Sequence, residues 1–159
     1  MTETAKAPKP PTKSPRRRAR EFALQGLYQW RLNSNDMAAI EAHLHEMEGY
    51  AKSDRDFCIA LVRGVIGASE ELVALITPHL DRSFAELSPI EACILLIGTF
   101  ELSRYPETPY RVIINEAIEL AKSFGGSDGH KYVNGVLDKL ALSERVLEVE
   151  AQRRSRGKS

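Results

Sequence analysis

Apolar positions recur with helical spacing along almost the whole chain. In "SPRRRAREFALQGLYQW", Ala19, Ala23, Gly26, Leu27 and Trp30 fall on one side of a wheel turning about 100° per residue, with Phe22 at its edge. Arg17, Glu21, Gln25 and Tyr28 share much of the opposite side, so an aromatic stands on the polar face. Cap residues punctuate the pattern. Ser14 followed by Pro15 predicts a helix running to about Asn33. Ser34 to Asp36 opens a second, "MAAIEAHLHEME", closed by Gly49. Ser53 and Asp56 read as a capping pair for one long segment, "DRDFCIALVRGVIGASEELVALIT", which ends before Pro78. Within it, Gly64 and Gly67 mark close helix packing or a bend.

The second half repeats the grammar. Ser88, Pro89 and Glu91 form a capping box for "LSPIEACILLIGTFELSRY". "TPYRVIINEAIELAKSF" starts on Thr/Pro and stops at Gly125–Gly126, and "SDGHKYVNGVLDKLA" and "SERVLEVEAQRR" complete the set. No turn of the Asn-Gly type separates alternating strands. The pattern predicts an all-α protein of about seven helices. Ile90 to Leu102 is apolar nearly all round, which places that helix at the centre of a bundle.

Composition narrows the class. The 159 residues, 43% hydrophobic and 28% charged, suit one domain with a real core. No apolar run reaches membrane-spanning length, so no membrane association is expected. Residues 1–15 lack the apolar stretch of a secretory signal and hold four prolines, which predicts a disordered Pro/Lys-rich tail. Cys58 and Cys93 lie in separate apolar segments without CxxC spacing and read as buried free thiols of a cytoplasmic protein. Enzyme readings fail. Ser127, Asp128 and His130 are too close along one turn for a nucleophilic triad, and "GSDGHK" lacks the GxxxxGK[ST] pattern of a phosphate-binding loop. His43 and His45 diverge by about 200° on a helix, so no metal pair forms. The expectation is a non-enzyme with no cofactor and no metal.

Charge adds the informative asymmetry. The formal net charge is zero, yet residues 1–20 hold seven Lys/Arg against one Glu and residues 151–159 hold four and no acid. The body between is correspondingly acidic. Two explanations stand side by side: an anionic partner held by the ends, or two solvated tails. The sharper signal is Arg16, Arg17, Arg18 and Arg20 at a helix start, where unpaired N–H groups already favour anions. Spread around one turn, they suit a flexible anion such as single-stranded RNA, since guanidinium forks match phosphates and stack on bases. A second stretch, "GGSDGHKYVNG", is a Gly-rich turn with Asp128 as N-cap. With Val133, Val136, Leu137 and Leu140 facing the core, Lys131 and Asn134 face outward and Tyr132 sits at the boundary.

These stretches together resemble a known family. "RRRAREFALQGLYQW", "INEAIELAKSFGGSDGHKYVNGVLDKLA" and the apolar helix after "SPIEA" are similar to the bacterial transcription antitermination NusB family over roughly residues 16–142. A related helical domain opens certain ribosomal-RNA cytosine methyltransferases, but this chain is too short for a catalytic domain to follow. The resemblance implies two roughly perpendicular three-helix bundles. It implies pairing with the ribosomal protein NusE, binding of boxA-containing single-stranded nascent RNA, and action in the RNA polymerase antitermination complex on ribosomal RNA operons. By position, Arg16, Arg17, Arg18 and Arg20 fall on the family's RNA-binding helix, and Asp128, His130, Lys131, Tyr132 and Asn134 on its second RNA-facing patch. Tyr28 and Glu91 match its NusE-contacting positions, Glu91 beside its capping role. The implied organisation is a tail over 1–15, an RNA-binding domain over 16–142, and a terminal helix with basic tail over 143–159. The competing class is a protein-binding helical adaptor with no specific RNA affinity.

Overall fold

The computed structural model describes residues 13–157. It contains eight α-helices: α1 (Pro15–Asn33), α2 (Met37–Glu46), α3 (Arg55–Gly67), α4 (Ser69–Ile76), α5 (Pro89–Arg104), α6 (Tyr110–Phe124), α7 (Gly129–Glu144) and α8 (Val146–Arg156). Short 3-10 turns at Tyr50–Lys52, Thr77–His79 and Phe84–Glu86 join them, and the described residues contain no strand. The fold class is therefore the all-α one expected, with one helix more than the sequence pattern counted.

The extra helix comes from the long segment before Pro78, which breaks at Ala68 into α3 and α4. The two glycines divide the roles proposed for them. A Cβ on Gly64 would collide with the Phe100 ring, so this glycine permits the close approach of α3 to α5. Gly67 has open space around it and ends α3. The cap of α3 is also different: Asp54 Oδ1 accepts from the Phe57 N–H at 3.1 Å. Ser53 closes the preceding turn instead, its hydroxyl donating to the Tyr50 carbonyl at 2.6 Å. Ser14 and Ser88 cap α1 and α5 as their spacing requires, accepting from the Arg17 and Glu91 N–H groups.

Helices α1, α2 and α3 pack together, and α5, α6 and α7 form a second group. Helix α5 joins them, touching α1, α3, α4, α6 and α7. Its residues Ala92 to Thr99 are buried without interruption, which is what an apolar surface all round demands. Cys58 and Cys93 are free and buried, and burial pushes both thiols up to about 12.

The disordered tail expected over 1–15 lies mostly outside the described residues, but its last three are ordered. Lys13 pairs with Glu21 at 2.7 Å, Ser14 caps α1 and Pro15 begins it. At the other end, α8 docks on the domain. Arg145 is buried and donates to the carbonyls of Leu102, Tyr105 and Thr108, at 2.8, 2.7 and 3.0 Å, and so closes the end of α5. Glu148 accepts from the Tyr110 N–H at 2.8 Å and takes the place of the side-chain cap that Pro109 cannot give α6. No helix among the described residues is long and apolar enough to cross a membrane.

Candidate nucleic-acid interface

The four arginines that open α1 meet four different environments. Arg16 is half-exposed, 3.7 Å from Asp54, with its guanidinium 4.2 Å above the Phe57 ring. Arg17 reaches across to α6, donating from Nε to Glu116 Oε2 and from Nη2 to Glu116 Oε1, both at 3.0 Å. That hydrogen-bonded carboxylate raises the Arg17 pKa further above an already high value. Arg18 lines an open hollow of about 390 Å³ with Lys13, Phe22, Gln25 and Gly49 and with the carboxylates of Glu21 and Glu48. It is the one of the four with no carboxylate partner among the described residues.

Arg20 departs from expectation. Its side chain is only 4% exposed and forms a bidentate pair with Glu101 of α5, itself 1% exposed, at 2.9 and 2.7 Å. It therefore presents no surface to a nucleic acid. The cause is the wheel itself: Arg20 falls between the buried Leu24 and Leu27 on the flank where α5 closes over α1, so its charge needs an internal partner. Nothing in the local pattern names Glu101, which sits 81 residues away.

The seam between α1 and α6 leads from the arginines to the second patch. Arg17 and Glu21 face Glu116, Glu119 and Ser123 along it. Farther on, Leu24 and Tyr28 meet Phe124, the last residue of α6, with Ile90 and His43 around a mostly apolar hollow of about 410 Å³. Tyr28 is half-buried there, as an aromatic at the border of the polar face. Immediately after Phe124 the chain turns into α7.

At the start of α7, Asp128 occupies the N-cap position but makes no side-chain cap bond. Its side chain is 81% exposed and lies 3.5 Å from Lys131 Nζ, so the capping role expected of it is corrected. Its backbone, at φ −113° and ψ 2°, is not the extended conformation of a capping residue. His130 is half-buried and Lys131 exposed. Tyr132 donates from its hydroxyl to Asp81 Oδ1 at 3.0 Å, and the Arg82 guanidinium covers its ring at 4.8 Å. Burial first, then the bond to Asp81, pushes the Tyr132 phenol up. The Arg82 guanidinium, then the Tyr132 hydroxyl, hold the Asp81 carboxyl below the usual carboxylate range. Asn134 is half-buried, and its Oδ1 is buried without a hydrogen-bond partner.

Glu91 links this patch to α5. Its Oε1 stands 2.9 Å from where a Cβ on Gly129 would be, so the carboxylate lies against the start of α7. Sequence reasoning missed Asp81 and Arg82, which lie in an irregular connection where no periodicity marks a face. It also missed Glu116, whose identity as a counter-charge depends on how α6 lies along α1.

The NusB family model matches residues 17–142. The transcription antitermination protein NusB of Dechloromonas aromatica is 61% identical over 148 residues, covering 93% of this chain and 91% of that protein. The protein of the same name from Ralstonia nicotianae is 58% identical over 146 residues, covering 92% and 94%. Among solved structures, T. maritima NusB superposes with a TM-score of 0.72 at 29% identity, covering 83% of this chain and 94% of that one. A structure of antitermination factors NusB and NusE in complex with dsRNA gives 0.65 at 24% identity, covering 78% and 93%, a likeness of fold.

Proposed function

Since the chain belongs to the NusB family, we propose that it is a transcription antitermination factor that binds boxA-type nascent RNA together with NusE and promotes processive transcription of ribosomal RNA operons. It is not an enzyme. Its place of work is the cytoplasm, where nascent RNA and polymerase are found.

The observation that carries the RNA reading is the cationic start of α1, where Arg18 stands without a carboxylate partner and Arg16 and Arg17 remain partly exposed. Such a surface displaces the counterions condensed on the phosphates of a single strand, and guanidinium groups suit both phosphate and base. Asp128, His130, Lys131, Tyr132 and Asn134 form the second RNA-facing patch on this reading. Arg20 is left out and acts as an internal strut. Residues 16–142 make up the RNA-binding domain. Tyr28 and Glu91 face NusE, with the apolar hollow around Tyr28 accepting an apolar side chain of that partner.

Titration of a boxA RNA, with and without NusE, tests the reading. RNA should bind alone with a clear salt dependence and more tightly with NusE present. Tyr28→Asp should abolish the NusE effect at nearly unchanged melting temperature, because Tyr28 is only half-buried. Salt-independent or absent RNA binding, with NusE binding retained, would favour a protein-binding adaptor.

A further inference from the structure

A groove of about 210 Å³ lies between α6, α7 and α8, away from the two patches described above. Its lining includes Arg111, Lys139, Arg153 and Arg156, against one acid, Asp138. Arg111 donates from Nη1 to Asp138 Oδ1 at 3.2 Å, but its Nε is buried with no partner.

Helix α8 is fixed so that its cations face this groove. Arg145 anchors its start, Glu148 caps α6, and Gln152 accepts from the Tyr110 hydroxyl. The attraction of basic residues to a helix C-terminus accounts for Arg153 and Arg156 being in the last turn of α8. It does not account for Arg111 and Lys139, from two other helices, converging on the same groove. Residues 146–156 also lie beyond the segment matched by the family model, so this groove is built in part by residues outside the shared domain. Lys131 and Lys139 both stand exposed on α7, about 12 Å apart along the axis at 1.5 Å per residue.

We propose that the groove between α6, α7 and α8 is a further phosphate-binding surface, which holds the RNA backbone beyond the element gripped at the starts of α1 and α7. The inference rests on the RNA-binding function proposed above. A polyanionic strand suits it better than a compact anion, because Lys139 of α7 and Arg153 of α8 face one open groove from different helices.

The test compares the full chain on a boxA-only RNA and on the same RNA extended by a uridine tract on its 5′ or its 3′ side, by anisotropy at several salt concentrations. One extended RNA should show a slope of log K against log[salt] steeper by about 2, for three further phosphates at about 0.7 each. The triple variant Arg111→Gln, Lys139→Gln, Arg153→Gln should lose that increment and bind boxA-only RNA as before. Arg153→Glu, a single change at an exposed site, should reduce the increment with an unchanged melting temperature and decides the matter if the triple variant is unstable. Identical slopes for all RNAs in the unmodified protein, or an increment that survives Arg153→Glu, would overturn the groove while leaving the boxA reading intact. Failure of the boxA-only RNA to bind would overturn both.

Discussion

The starts of α1 and α7 carry the same kind of invitation to an anion and answer it differently. At α1, Ser14 satisfies a backbone donor, four arginines follow, and carboxylates from three other elements reach in: Asp54, Glu116 and Glu101. At α7 no side chain caps the helix, the one exposed lysine sits beside an exposed aspartate, and the Glu91 carboxylate lies against the first residue. Cation density in a sequence is therefore not cation availability. Of the two starts, the arginine-rich one is largely neutralised from within yet keeps Arg18 without a carboxylate partner, while at the sparser one the single lysine already faces Asp128.

The largest expected effect tests whether Arg20 belongs to the core. Arg20→Ala leaves Glu101 buried and unpaired, and should cost about 3–5 kcal/mol in a denaturant melt. Replacing both residues by apolar ones of similar volume should recover most of that loss. A variant of near-normal stability with weakened RNA binding would return Arg20 to the interface.

A smaller effect separates the neighbours Arg17 and Arg18. Arg18→Gln should flatten the RNA salt slope by about 0.7, the contribution of one phosphate. Arg17→Gln should flatten it less, because Glu116 already neutralises that guanidinium. Equal slopes for the two variants would show that the Glu116 pair opens when RNA arrives.

The smallest effect concerns Asp128. Since its side chain makes no cap bond, Asp128→Asn should change stability by no more than about 1 kcal/mol, through its charge near the helix start. RNA affinity should rise, and more at low salt, where repulsion between carboxylate and phosphate is least screened. An affinity unchanged at low salt would take this turn off the RNA surface.

Local rules reached far into this molecule. Ser14–Pro15 and Ser88–Pro89 start helices where their chemistry requires, and the apolar belt of Ile90 to Leu102 identifies the central helix, because capping and burial act over a few residues. The break at Ala68 was not legible, since helical periodicity continues through it and only the seat of Phe100 against Gly64 shows how α3 meets α5. The long-range charge partners were equally hidden. Arg17, Arg18 and Arg20 look alike along the chain, yet one is paired on α6, one is open and one is locked inside against α5. Which state a guanidinium takes depends on a carboxylate 81 or 99 residues away, and only helix packing sets that distance. The sequence alone determined the all-helical class and the family. The tertiary structure decided which of their charges remain free to meet another molecule, because pairing energies fall within a few ångströms and no local pattern encodes that approach.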